Sequence, residues 1–200
     1  MYLSKVFLHP GKLNNAYEWH RAIWSLFPGF EPGEVSPFLY AMESMNLARG
    51  ASLLVQSSVE PVVKSDVAIV GASKPTNALL PTGQLLGFRL MANPTRCIED
   101  KEAKSGKKNR GKCRVPLIRE EEQIAWLQRR LGDAADVREV KVTRNSPVYF
   151  RKGSRAGKIV PVTFEGVVEV RDPVDMREMC RKGIGPAKAF GCGMMLVRRV

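Results

Sequence analysis

Tyr17 and His20 are the side chains of this sequence best suited to proton transfer, because a three-residue spacing on a helix places both rings on one face. Histidine is the side chain that most readily gains and loses a proton near neutral pH, and this chain has only two. The alternative is a histidine that only packs at the margin of an apolar stripe. Spacing does not decide which residue is the base, although a tyrosine with its ordinary pKa of about 10 is the poorer base at neutral pH.

A glycine-rich run over residues 183–193 provides a candidate anion site beside Lys188. Glycines lack a Cβ, so their backbone N–H groups can converge on one point, and the lysine adds a positive charge. The predicted phosphate-nest glycines are Gly183, Gly185, Gly191 and Gly193. The alternative is a helix C-cap followed by bulge glycines. The run is not a P-loop, because it precedes a predicted strand and lacks the Gly-Lys-Ser/Thr sequence.

Two basic segments are candidates for contact with a polyanion, in a chain of net charge +12 and pI near 9.8. The first is a polar stretch that we expect to be mobile without a ligand: Lys101, Lys104, Lys107, Lys108, Arg110, Lys112 and Arg114. The second is predicted to form the tip of a β-hairpin: Arg151, Lys152, Arg155 and Lys158. Ordinary solvated surface is the alternative for each, but the density of cations favours phosphate contact.

Next to RNA, three of these side chains would form a catalytic set. Cleavage by an internal 2′-OH needs a base, an acid and a cation to stabilise the phosphorane, and His20, Tyr17 and Lys188 can supply them. Metal-dependent hydrolysis would need clustered carboxylates instead. The obvious run, Glu120 to Glu122, is better explained as the first turn of a helix, where the dipole favours acidic residues. We therefore predict no metal and no cofactor.

The four cysteines, at positions 97, 113, 180 and 192, have neither zinc-site spacing nor the pattern of a disulfide framework. No apolar run approaches the roughly 18 residues of a membrane-spanning helix, and the N-terminus lacks the charged and apolar regions of a secretory signal. These features predict a cytoplasmic protein with reduced thiols and no membrane partner.

The first unit, predicted over residues 1–83, begins with a strand at 2–8 and a helix at 16–27. Strand-like runs follow at 36–43 and 51–57. Residues 60–83 have weak periodicity with several prolines and glycines, which predicts a helix or loop at the end of the unit.

The second unit, predicted over residues 84–200, has the order βαββαβ, the split-βαβ or ferredoxin-like pattern. Its predicted elements are a strand at 85–97, a helix from 119 to Gly132, strands at 137–150 and 158–170, a helix capped by Asp172 and Pro173, and a strand at 194–199. The fold class that we predict is α+β, with two tandem ferredoxin-like domains.

Several stretches resemble the CasE endoribonucleases of the type I-E CRISPR Cascade complex, and the resemblance covers essentially the whole chain. The matching stretches are Met1 to Val6, Tyr17-x-x-His20, Leu26-Phe27-Pro28, Phe88-x-Leu90-x-Ala92-Asn93-Pro94, Arg114 to Ile118, Gln123 to Leu127, Phe164-Glu165-Gly166 and Gly185-Pro186-Ala187-Lys188 through Gly193.

The resemblance implies a metal-independent enzyme that cuts the CRISPR precursor transcript at the base of each repeat stem-loop. The 2′-OH attacks the adjacent phosphate to give a 2′,3′-cyclic phosphate and a 5′-OH, and the enzyme keeps its product as a Cascade subunit. His20 matches the family's catalytic histidine and Tyr17 its neighbouring tyrosine. The hairpin from Arg151 to Lys158 corresponds to the element that grips the stem, and we expect phosphate contacts there because A-form grooves are hard to read.

Two other functions remain open from the residues. A non-catalytic subunit that only retains an RNA hairpin would need the basic segments but not Tyr17 and His20. A general RNA chaperone would bind unrelated hairpins as well as a cognate repeat.

Overall fold

The structure, a computed structural model, describes residues 1–10, 15–30, 35–46, 48–76, 80–99, 112–152 and 155–200, with only the backbone for residues 99, 112, 152 and 155. Five cations of the first basic segment, and the mobility that we expect there, therefore lie outside the described residues: Lys101, Lys104, Lys107, Lys108 and Arg110. Within the described ranges, no helix is long and apolar enough to cross a bilayer.

The first unit is a four-stranded antiparallel sheet with one helix packed on it. Its elements are β1 (Tyr2–Leu8), α1 (Ala16–Trp24), β2 (Phe38–Asn46), β3 (Gly50–Ser57) and β4 (Ala68–Pro75). The strand order β2-β3-β1-β4 places β1 in the centre, as in a ferredoxin-like sheet. The apolar face of α1 buries Ala22 and Ile23 against Val6 and Leu53, which forms the first core.

The prediction for residues 60–83 is wrong over part of its length, because the segment contains β4. Residues 58–67 contain no helix, so the second helix of a ferredoxin-like unit is missing here. Only Ala68 of β4 is buried, which leaves the strand without a recognisable hydrophobic period. Pairing with β1 holds it in place, and at Gly71 the ring of Phe7 lies 2.6 Å from the position that a Cβ would take.

The second unit is a complete βαββαβ fold with two inserted hairpins. Its elements are β5 (Leu85–Ala92), β6 (Thr95–Glu99), β7 (Lys112–Pro116), α2 (Glu120–Leu131), β8 (Ala135–Arg144), β9 (Val148–Lys152), β10 (Arg155–Ile159), β11 (Val162–Val170), α3 (Pro173–Lys182) and β12 (Met195–Arg199). The main sheet has the order β12-β5-β11-β8, and β6–β7 and β9–β10 form separate two-stranded sheets. The predicted α+β class is confirmed.

Three predicted strands are shorter than expected, and a proline interrupts each one. The predicted strand 85–97 breaks near Pro94, the strand 137–150 near Pro147 and the strand 158–170 near Pro161. Proline cannot donate to a sheet ladder, so the main sheet ends where each proline occurs and the chain leaves to form a hairpin. The basic hairpin is therefore β9–β10, separate from the strands that lead to it.

The core of the second unit lies between its main sheet and the two helices. Trp126 of α2 stacks on Phe164 of β11, with 6.3 Å between ring centroids, beside the fully buried Leu127 and Met176. The predicted cap of α3 is confirmed, since the Asp172 carboxylate accepts the N–H groups of residues 174 and 175.

The two units touch through polar and apolar contacts. The buried Tyr40 hydroxyl donates to the Ala189 carbonyl at 2.8 Å, and the Gln56 side chain donates to the Cys180 carbonyl at 2.8 Å. The division of the chain after residue 83 stays a prediction. Leu80 already packs in the second core, and the Gly83 N–H donates to the Val170 carbonyl at 2.8 Å.

Candidate active site

His20 is held at the edge of the first core by aromatic neighbours. Its ring lies 5.4 Å from that of Trp24 and 5.1 Å from that of Phe38, and Phe38 in turn stacks on Phe27. The side chain is half-buried, and this burial lowers the pKa of His20 below its ordinary value of 6.5. The imidazole is therefore neutral at pH 7 and able to accept a proton.

Tyr17 lies one turn before His20 on α1 and is half-buried. Its backbone N–H donates to the side chain of Asn15 at 3.1 Å, which caps the helix. The structure thus confirms that Tyr17 and His20 share a helix, while their chemical roles stay predictions.

A cleft of about 490 Å³ lies between the two units and brings His20 together with Lys188. The first unit contributes His20, Phe38 and Gln56 to its lining, and the second contributes Arg181, Lys182 and Lys188. Tyr17 is not among the lining residues. The cleft therefore combines a neutral imidazole with three cations.

Lys188 points back at the end of helix α3. Its ammonium donates to the carbonyl of Lys182, the last residue of that helix, at 2.5 Å. Desolvation lowers the pKa of Lys188, and the nearby charge of Arg130 lowers it further. An anion in the cleft would stabilise the charged form of Lys188, because it would offset both the desolvation of the ammonium and its repulsion from Arg130.

Most of the predicted nest glycines do not present a free N–H group. The backbone N–H groups of Gly183, Gly191 and Gly193 donate to the carbonyls of Met179, Lys188 and Met91, at 2.8, 3.1 and 2.7 Å. These three amides are occupied within the protein. Such glycines allow close packing instead: a Cβ on Gly183 would lie 2.8 Å from Leu39, and one on Gly185 would lie 2.7 Å from Trp126.

A different part of the same turn has the geometry of an anion nest. Ala187 adopts the left-handed conformation, at φ 67° and ψ 29°, and a 3₁₀ turn over Lys188–Phe190 follows it. A left-handed residue followed by right-handed ones aims successive N–H groups into one concavity. Within the described residues, the N–H groups of Lys188 and Ala189 have no acceptor. Sequence reasoning missed Ala187, because alanine rarely has a positive φ.

The hairpin β9–β10 presents an exposed face with two cations and an aromatic ring. Arg151 is exposed, and Lys158 lies across the ladder from Tyr149, with its ammonium 5.6 Å from the ring. Tyr149 is 67% exposed and was not singled out from the sequence. Tyr149 and Arg151 are two residues apart on one strand, and this spacing could have indicated from the sequence that they share a face. Lys152 and Arg155 pair with each other in the backbone ladder.

The hairpin β6–β7 carries the described end of the other basic segment. Arg114 is exposed and lies opposite Cys97, while Cys113 lies opposite Ile98, so the two exposed cysteines are on opposite faces. Lys112 is described by its backbone alone. Arg114 does not line the cleft. The carboxylates set aside from the sequence lie at the start of α2, where Glu122 pairs with Arg96 at 3.6 Å.

The structure thus combines two ferredoxin-like units in tandem, a cleft between them lined by His20 and Lys188, and an exposed basic hairpin. The family described as "CRISPR associated protein" matches residues 1–199. The chain belongs to this family.

Three known proteins show how close the similarity is. The chain is 42% identical over 196 residues to the CRISPR system Cascade subunit CasE of Escherichia coli (strain K12), and the match covers 98% of each. It is similar to the crystal structure of Cas6e from Escherichia coli K-12, with a TM-score of 0.87, 40% identity and full coverage of both chains. It is also similar to the CRISPR endoribonuclease Cse3 bound to a 19-nucleotide RNA, with a TM-score of 0.77, 31% identity and coverage of 99% and 100%.

Proposed function

We propose that this protein is a CRISPR endoribonuclease that cleaves precursor RNA without a metal at the base of the repeat stem-loop and keeps the mature RNA as a Cascade subunit. The observation that carries the proposal is the cleft in which a neutral His20 meets Lys188 and the unoccupied amides of its turn. The similarity to a Cascade subunit and to an RNA-bound endoribonuclease supports the same substrate class.

In this reaction His20 is the base. Its neutral imidazole removes the proton of the 2′-OH, and the 2′-oxygen attacks the adjacent phosphorus. The bond from phosphorus to the 5′-oxygen breaks, which leaves a 2′,3′-cyclic phosphate, and the departing oxygen takes up a proton to become a 5′-OH. We propose Tyr17, one turn away on α1, as the acid that supplies this proton.

Residues of the second unit are proposed to stabilise the negative charge that develops on the phosphorane. The amides of Lys188 and Ala189 would donate to its oxygens, and the Lys188 ammonium would leave the Lys182 carbonyl for the phosphate. Among the predicted nest glycines, Gly185 alone has no carbonyl acceptor for its N–H within the described residues. We propose that Gly183, Gly191 and Gly193 shape the turn.

The exposed face of β9–β10 is the proposed grip on the RNA stem. Arg151 and Lys158 would contact phosphates, and Tyr149 adds an aromatic surface between them. Lys152 and Arg155 are proposed to contribute at the tip, and Arg114 and the preceding lysines and arginine at a second basic surface. The repeat RNA and other Cascade subunits are the proposed partners, in the cytoplasm.

The test is cleavage of a labelled repeat hairpin in excess EDTA, beside the same RNA with a 2′-deoxy group before the cut. We expect cleavage of the first RNA and survival of the second. His20→Ala should lower the single-turnover rate by at least about 100-fold, the usual contribution of a general base, while RNA affinity stays nearly unchanged. Tight binding without any cleavage by the wild-type protein would support the non-catalytic alternative.

A further inference from the structure

The basic hairpin β9–β10 contacts both halves of the candidate active site, although none of its described residues lines the cleft. Its Arg151 backbone is hydrogen-bonded to Asn15 at the start of α1, the helix of His20. Its Phe150 ring lies 4.3 Å from the ring of Phe190, which ends the turn of Lys188. One short element therefore connects the two parts of the chain that meet in the cleft.

The side chain of Asn15 satisfies three hydrogen bonds with one orientation of its amide. Its Nδ2 donates to the Arg151 carbonyl at 2.8 Å, and its Oδ1 accepts the Arg151 N–H at 3.2 Å and the Tyr17 N–H at 3.1 Å. The reversed amide would point donors at two N–H groups. Asn15 thus pairs with Arg151 as a neighbouring strand would, while it caps α1.

The other anchor depends on a glycine. Gly157 lies opposite Phe150 in the hairpin ladder, and a Cβ there would be 2.3 Å from the Phe150 ring. Because Gly157 has no side chain, the Phe150 ring can lie across the hairpin and reach the ring of Phe190. Because Phe150 and Arg151 are adjacent, one point of β9 is fixed on both sides.

Arg151 links the contact with α1 to the surface proposed to bind RNA. Its backbone is held by Asn15, and its side chain is exposed on the face proposed to grip the RNA stem. A phosphate that fixes the Arg151 side chain therefore also fixes the residue on which the start of α1 rests.

We propose that Asn15 is a positioning residue, which ties the RNA-gripping hairpin to α1 so that a bound stem sets the place of His20 against the scissile phosphate. This inference rests on the proposed function and deepens it. Asn15 touches neither substrate nor reacting atoms in this scheme and acts through α1 and β9.

Two substitutions separate positioning from simple capping. Asn15→Ser keeps a good helix cap but cannot make the paired bonds to Arg151, and Asn15→Asp keeps the cap and the acceptor but loses the Nδ2 donor. We expect the single-turnover rate at saturating RNA to fall about 10- to 100-fold for Asn15→Ser, the scale of a small misplacement, and less for Asn15→Asp. The affinity for the hairpin RNA and the melting temperature should stay close to those of the wild type.

A double-mutant cycle with Arg151→Ala adds a readout that a capping role would not change. If the grip is transmitted through Asn15, Arg151→Ala lowers the saturated rate in the wild-type background but not in the Asn15→Ser background. Equal rates for the wild type and Asn15→Ser would overturn the inference and leave the proposed function standing. A parallel loss of rate, affinity and melting temperature would also overturn it. A wild-type protein that does not cleave would instead refute the proposed function.

Discussion

The aromatic packing around His20 decides its charge. Trp24 and Phe38 remove water from the imidazole without giving it a charged partner, so desolvation alone lowers its pKa. Between the lowered pKa of the folded state and about pH 6.5, the folded protein therefore binds fewer protons at this position than the unfolded chain does.

A pH dependence of stability follows from this difference. The penalty for protonating His20 is absent above pH 6.5 and grows as the pH falls through the lowered pKa of the folded state, so the free energy of unfolding should decline with acidification. Chemical denaturation of the wild type and His20→Gln between pH 7.5 and pH 5 checks this. The variant should lose less stability over that interval, and parallel curves would contradict the assignment.

Sequence alone was enough to single out His20, Tyr17 and Lys188 as candidates, because residue type, helical spacing and glycine context are local properties. It was not enough for Ala187, whose left-handed backbone depends on the packing of the turn around it. Nor could it find the contact between Asn15 and Arg151, because the two residues are 136 positions apart.

At the scale of elements, β9–β10 divides its residues between two faces. Tyr149, Arg151 and Lys158 lie on the exposed face, and Phe150 and Gly157 on the face that reaches the Lys188 turn. Alternation along a strand makes this division unavoidable once one residue is anchored. The hairpin thus presents Arg151 and Lys158 on one face and the Phe150 ring on the other.

Removing the cations of this hairpin should weaken RNA binding in a salt-dependent way. For Arg151, Lys152, Arg155 and Lys158 changed together to Ala, each lost phosphate contact should flatten the plot of log K against log salt by roughly 0.9. Binding titrations at several salt concentrations measure the slope. A matched control removes four exposed cations elsewhere, Lys64, Lys74, Lys141 and Arg198, with the same change in net charge. Equal slopes of log K against log salt for the hairpin variant and the control variant would contradict the proposal that the hairpin binds the RNA stem.

The order of strands and helices along the second unit was predictable, because its apolar alternation is strong and Asp172 marks the start of α3, whereas the strand ends were not. Pro161 lies inside an apolar run and Pro94 follows directly on an alternating one, so the side-chain pattern reaches each proline although the ladder cannot continue past it. β4 shows the opposite case, in which pairing to β1 forms a strand that the side chains alone do not indicate.

For the whole molecule, the main consequence is that the cleft belongs to neither unit. His20 comes from the first and Lys188 from the second, and the bond from Tyr40 to the Ala189 carbonyl joins them beside the cleft. Tyr40 is 1% exposed, and burial raises the pKa of its hydroxyl above its ordinary value, so it remains a donor. The relative placement of the units therefore sets the spacing of the proposed catalytic groups.

Tyr40→Phe tests this contact, since it removes the hydroxyl and leaves the Ala189 carbonyl without its donor. We expect a loss of about 1 to 3 kcal/mol in the free energy of unfolding, the cost of an unsatisfied buried acceptor. Urea denaturation measures it, and Tyr149→Phe, at an exposed ring, should be neutral. A Tyr40→Phe protein as stable as the wild type would show that the bond contributes nothing to the junction.

The arrangement of the cysteines has a practical consequence. Cys180 and Cys192 are buried, and burial raises the pKa of their thiols to about 11 and about 12, so they react slowly with maleimides. Cys97 and Cys113 are exposed on the two strands of β6–β7, at the root of the basic stretch between them. The unaltered protein thus has two attachment points for a thiol-reactive fluorescent dye, one on each side of that stretch in the sequence, and the labelled protein can be used to test the RNA contact proposed there.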